Sequence, residues 1–157
     1  MPIQFIFGLI IANFVEWLVH KYVLHKLGKM RTRFLILGKK KIFVFLTHWN
    51  QHHRISRKND FRDSAFSFRE IFGIFILLVI AFPIWFILPG IYYGFIFSAM
   101  LYLLIHNISH KYPEFSKKYI RWHYDHHMGK NQNKNWCVTY PLADYLLGTR
   151  IKYEYRE

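Results

Sequence analysis

Three long apolar stretches dominate the pattern of hydrophobic and polar positions. Residues 3–19 are apolar over 17 positions apart from Gln4, Asn13 and Glu16, close to the shortest helix that crosses a bilayer. Residues 71–88, IFGIFILLVIAFPIWFIL, hold no charge over 18 positions, and Pro83 kinks a helix in lipid without forbidding it. Pro89-Gly90 signals a turn, after which residues 91–106 return as a third span. FLILGKKKIFVFL, at 34–46, is apolar at both ends and cationic in the middle, so it is expected in the membrane interface. The pattern predicts an all-α fold: an integral membrane helical bundle of about three transmembrane helices, forming one domain over 1–157. Residues 20–70 and 107–157 form a helical cap on one side.

Composition and charge agree with a lipid environment. The chain is 53% hydrophobic and 20% aromatic, with a formal net charge of +13. Residues 20–70 carry 13 Lys and Arg and residues 106–157 carry 9, which is all 22 in the protein. The positive-inside rule therefore orients both stretches toward the cytoplasm. That asymmetry explains the charge without nucleic acid, and no nucleic-acid-binding signature is present. The N-terminus lacks the basic region and cleavage site of a signal peptide, so it is expected to be retained. The single cysteine, Cys137, excludes an internal disulfide and a multi-cysteine zinc module, and reads as a buried structural residue.

The histidines change the picture from scaffold to chemistry. All ten fall into four clusters: HKYVLH (His20, His25), HWNQHH (His48, His52, His53), HNISH (His106, His110) and HYDHH (His123, His126, His127). Under the topology above, every cluster lies at or just beyond a span end on the same face. On an α-helix turning about 100° per residue, i and i+4 are neighbours, so His106 with His110 and His123 with His127 can each chelate one ion. His126 lies about 60° to the other side of His123, giving a broad face that reaches two ions. His20 and His25, at i and i+5, sit about 140° apart and need a local break in the helix or two different metals. Packed imidazoles repel when protonated, and a bound cation removes that cost while requiring neutral rings. Ten imidazoles exceed the needs of one ion, so two are implied. Nitrogen ligands suit iron, zinc, copper or nickel, and spacing does not choose among them.

With these clusters the sequence resembles the fatty acid hydroxylase and sterol desaturase superfamily, and its histidine pattern is similar to that of the carotenoid hydroxylases. The four clusters match that superfamily's four histidine boxes in order, and NWCVTYPLADYLLGT (135–149) resembles its C-terminal signature. The resemblance implies a membrane oxygenase in which these ten histidines hold two iron ions. Using O2 and external electrons, it would hydroxylate or desaturate an unactivated C–H bond of a lipid. Such sites often hold zinc in place of iron, so zinc in a purified protein does not argue against an oxygenase. No catalytic residue beyond the metal ligands is implied. Two departures matter. The second box is H-x3-H-H where H-x2-H-H is commoner, which leaves the role of His48 open. The chain shows three spans where many relatives have four, and no cytochrome-like domain. A separate electron donor, a ferredoxin or b-type cytochrome with its reductase, is therefore expected. The H-x3-H third box is nearer the fatty acid hydroxylase pattern than the carotenoid one and favours a fatty acyl chain over a carotenoid or sterol.

Three carboxylates are candidates for supporting the ligands. Glu16 lies one turn before His20 in an apolar span, where an ionisable group is costly, and is expected to accept a liganding histidine's free ring N–H. Asp125 sits between ligands, and Asp144 falls in the family-like tail, where a helix cap is the alternative. Phe115, Tyr119, Trp122 and Tyr124 follow a span and are expected to anchor at the headgroup level. A metal transporter or storage protein would need polar residues at mid-span, and the second and third spans have almost none.

Overall fold

The computed structural model describes residues 1–29, 47–63 and 67–155, so the stretch at 34–46 lies outside the described residues. The first span is one rod, in which α1 (Pro2–Leu18) runs directly into a π-helix (Val19–Leu27). Pro2 sits in its first turn, where a missing N–H removes no helical hydrogen bond. A second π-helix (His48–His53) continues as α2 (Arg54–Lys58). The second span is α3 (Phe68–Ala81), closed by a 3-10 turn (Phe82–Phe86) where Pro83 ends the α-helical ladder. The third is α4 (Pro89–Lys111), longer than the sequence pattern predicts because it carries on through both histidines of the third box. Then come α5 (Pro113–Tyr119), α6 (Arg121–Met128) and α7 (Leu142–Leu146), with no strand among the described residues. Among the described residues three helices are long and apolar enough to cross a membrane, which matches the three expected spans.

The spans do not pack alike. A Cβ added to Gly8 would meet the backbone oxygen of Ile91 at 2.5 Å, and one on Gly94 would meet the Gly8 Cα at 2.8 Å. The backbones of α1 and α4 are thus in contact, an approach that only glycine permits. In α3, by contrast, Glu70 is the one buried residue, and large apolar side chains such as Phe75 and Ile80 face outward. Outward apolar faces are what a lipid-facing helix presents, and the loose fit of α3 leaves a cavity between it and the α1–α4 pair.

The polar residues of the first span hold the C-terminal tail. Asn13 donates to Thr139 Oγ1 (3.1 Å) and the Tyr140 carbonyl (2.8 Å), and its own oxygen accepts from the Ala143 N–H (2.9 Å). The Trp17 indole donates to Thr149 Oγ1 (2.9 Å). Cys137 is buried with Trp17, Trp136 and Ala143, and its thiol pKa is raised by that burial.

Candidate metal centre

The four histidine boxes converge. His20, His25, His48 and His53 bring ring nitrogens within 4.8 Å of one another, and so do His52, His106, His110 and His127. His126 joins the first group, its Nε2 lying 3.2 Å from those of both His25 and His53. His123 joins the second, with its Nε2 3.2 Å from that of His110. The result is two sets of five. They meet where the His53 and His127 rings stack at 4.1 Å. His123, His126 and His127 are 0% exposed.

Local helix geometry makes this division possible. His20/His25 and His48/His53 are both i, i+5 pairs, and both lie on π-helices. A π-helix hydrogen-bonds from i to i+5, so residues five apart stand in the relation that i and i+4 have in an α-helix. Each pair therefore faces one set. This is the local break that the first box requires. The same geometry absorbs the extra residue of the second box, so that His48 Nε2 comes within 3.0 Å of His20 Nε2.

The donor atoms fit cations. Six Nε2···Nε2 pairs lie at 2.9–3.2 Å, three of them closing a triangle of His25, His53 and His126. Each Nε2 either carries a proton and donates or holds a lone pair and accepts, so three mutual contacts cannot all be hydrogen bonds. The centre of that triangle lies about 1.8 Å from each corner, close to a metal–nitrogen bond of about 2.0–2.1 Å, so these three rings would suit a shared cation. Both nitrogens of His127, though buried, lack a hydrogen-bond partner among the described residues. An unpaired buried polar atom is costly, and a ligated ion removes the cost.

The outward ring nitrogens fix the tautomers. His20 Nδ1 donates to the Trp136 carbonyl, His126 Nδ1 to that of Lys134 (2.7 Å) and His110 Nδ1 to that of Phe61 (2.7 Å). His52 Nδ1 donates to Asp63 Oδ2 (2.6 Å), and His106 Nδ1 faces Glu70 Oε1 at 2.8 Å. A proton on Nδ1 leaves the Nε2 lone pair free to bind metal. Burial, then the neighbouring imidazoles, holds His48, His53, His123 and His127 well below the usual imidazole pKa. Burial pushes His126 down to about 4. His52 is lowered by burial as well, with Asp63 opposing. The rings outside the spans are thus held neutral, the form that binds metal.

The expected supporting carboxylates do other work. Glu16 accepts from the Val138 N–H, the Thr139 N–H (3.0 Å) and Thr139 Oγ1 (2.5 Å), so its hydrogen bonds go to the tail and to Asn13 rather than to an imidazole. Asp125 is paired with Arg150 (2.9 Å) and Arg121 (3.3 Å) and accepts from the Tyr155 hydroxyl. Asp144 accepts from the Trp136 N–H (2.9 Å) and the Cys137 N–H (2.8 Å), and so fixes the peptide whose carbonyl holds His20. Asp63 and Glu70, which touch imidazoles directly, were not among the sequence candidates. Neither was Phe61, whose φ of 72° turns its carbonyl to His110 while its ring packs against His110, His123 and His127. Of the aromatics expected at the headgroup level, Phe115 and Tyr119 are exposed. Trp122 and Tyr124 are half-buried, and the Trp122 indole donates to the Val138 carbonyl (2.8 Å).

A cavity of about 740 Å³ lies between the three spans. Its walls are almost wholly apolar, and His20, Glu70 and Tyr102 stand at one end, where the Tyr102 hydroxyl bonds to Glu70 and its ring stacks on His106. The apolar space therefore opens beside both histidine sets. No curated protein and no solved structure matches the chain. The model of the family described as fatty acid hydroxylase matches residues 5–149, a stretch that includes all four boxes and the tail. The chain belongs to the fatty acid hydroxylase family and is thereby a membrane enzyme of the hydroxylase and desaturase type.

Proposed function

We propose that the protein hydroxylates a fatty acyl chain with two iron ions, one in each histidine set. The observation that carries this reading is the junction of ten clustered imidazoles, nine of them buried, with an apolar cavity between membrane spans. The two ions, when bound, supply the reduction of O2 needed to oxidise an unactivated C–H bond. The chain's own part is positioning. The Nδ1 anchors aim the Nε2 atoms inward, the buried cap excludes bulk water, and the apolar walls admit hydrocarbon and keep it extended. We assign the metal centre to the cytoplasmic face, on the strength of the Lys and Arg distribution. A separate ferredoxin or b-type cytochrome supplies electrons, and exposed cations such as Lys29, Arg57, Lys58 and Lys130 on the cap suit an acidic partner.

The test is expression with iron in a host of defined lipid content, followed by mass spectrometry of its lipids. Acyl species heavier by one oxygen are expected, and they should vanish when His126 and His127 are both replaced by Ala. Species lacking two hydrogens instead would make the enzyme a desaturase. Unchanged lipids with full metal loading and a competent donor would overturn the reading.

A further inference from the structure

We infer that Arg69 holds the head of the substrate: the cavity takes a single acyl chain ending in an anion, carboxylate or phosphate, and the bond oxidised lies within a few carbons of that head. This rests on the acyl-hydroxylase reading above. Among the described residues Arg69 is the one Lys or Arg in the cavity wall, half-buried in the first turn of α3. No ion pair to it exists among the described residues. A guanidinium beside an apolar cavity is costly unless an anion meets it, and its planar fork matches carboxylate and phosphate oxygens.

The two carboxylates at the same end are already engaged, Glu70 with His106 and Glu16 with the tail. Both would repel an anionic head that moved past Arg69 deeper into the cavity. From Arg69 the wall runs down α3 and the 3-10 turn after it to Ile84, about 23 Å at helical rise, and it turns apolar beyond the histidine end, with Ile11 and Val15 of α1 and Ala99 of α4 facing the same space. Head and metal centre therefore share one end. His20 and Glu70 line the wall at Arg69's level, whereas the chain terminus lies at the far end near Ile84.

Competition against the fluorescent cis-parinaric acid, with metal-free full-length protein in neutral detergent, tests this without turnover. Palmitate, palmitoyl lysophosphatidic acid and cetyl alcohol are the three competitors. At least one anion is expected to bind about tenfold tighter than the alcohol, as a charge-assisted pair would give, and the tighter of the two identifies the head. Arg69→Gln should abolish that preference while the alcohol still binds, and Arg69→Lys should keep part of it. Equal affinities in the wild type, a preference that survives Arg69→Gln, or an equal loss of acid and alcohol in both variants overturns the assignment. With iron and an electron donor, the product's new hydroxyl should lie near the head, and one near the methyl end overturns the positional claim. Binding preference without any oxygenated product would instead sink the acyl-hydroxylase reading and leave the anion site standing.

Discussion

The two histidine sets have five rings each, yet they are braced by different chemistry. In the first, the outward nitrogens of His20 and His126 reach backbone carbonyls, and Gln132 touches His53 Nδ1 at 3.0 Å. In the second, carboxylates stand behind two of the five rings, Asp63 behind His52 and Glu70 behind His106. A carboxylate raises the basicity of the imidazole it holds and lends negative charge to the site, which a carbonyl does to a smaller degree. The second set is therefore the more electron-rich of the two. Through Glu70 and Tyr102 it also borders the cavity, where the first set presents His20. Two centres alike in ligands are thus made unlike by what stands behind them.

The largest effect should come from removing one ligand per set. If each set holds one ion, as proposed, His48→Ala lowers bound metal from two ions per chain toward one, and His110→Ala does the same at the other centre. Elemental analysis with a spectroscopic probe such as cobalt substitution would tell the two apart. If each variant lost both ions, the sets would be one cooperative cluster. Next in size, Glu70→Gln and Asp63→Asn should each weaken metal binding about 10–100-fold at the second set and leave the first unchanged. Titration with a competing chelator measures this, and equal weakening at both sets would remove the distinction drawn here.

Much of this was legible in the sequence, and what was not has identifiable causes. The three spans follow from hydropathy, and the pairs His106/His110 and His123/His127 follow from α-helical spacing, because α4 and α6 are ordinary α-helices there. The division into sets does not follow. His52 and His53 are adjacent and go to opposite sets, as do His126 and His127, because neighbours on a helix point far apart and these two boxes straddle the boundary. The i, i+5 spacing of the first two boxes was itself the signal of π-helices, hidden by assuming α-helical angles. Glu16 drew attention because it lies within an apolar span, but the tail's N–H groups claim it. Asp63 and Glu70 looked like ordinary polar residues before a span, and only the fold brings them to box two and box three.

Acid should expose what the two sets have in common. His126 has an ordinary imidazole pKa of 6.5 when unfolded and about 4 when folded. Between those values the unfolded chain binds the proton and the folded chain does not, so acid favours unfolding. Its contribution to stability is complete above pH 6.5 and is lost as pH falls toward about 4. His48 and His53 in the first set, and His123 and His127 in the second, shift in the same direction. Metal-free protein should therefore melt at steadily lower temperature from pH 7 to pH 4, and bound metal should move that loss to lower pH. A melting temperature flat across this range would mean that the rings are solvated and the buried cage does not form.

The smallest effect, and the most selective, is expected from Asp144. Its two oxygens accept from Trp136 N–H and Cys137 N–H, and Oδ1 also accepts from Thr149 Oγ1 (2.6 Å). Asp144→Asn keeps shape and volume but replaces one acceptor oxygen with an NH2 group, so one buried N–H loses its partner, at a cost of about 1–3 kcal/mol. The Trp136 carbonyl, in the same peptide unit as the Cys137 N–H, holds His20. Loosening it should weaken metal binding several-fold at the first set alone, since no ring of the second set is anchored to Trp136 or Cys137 among the described residues. The two carboxylate variants act on the second set and this one on the first. A double variant of Asp144→Asn with Glu70→Gln should therefore show additive losses, and strong non-additivity would mean that the stacked pair His53 and His127 couples the centres.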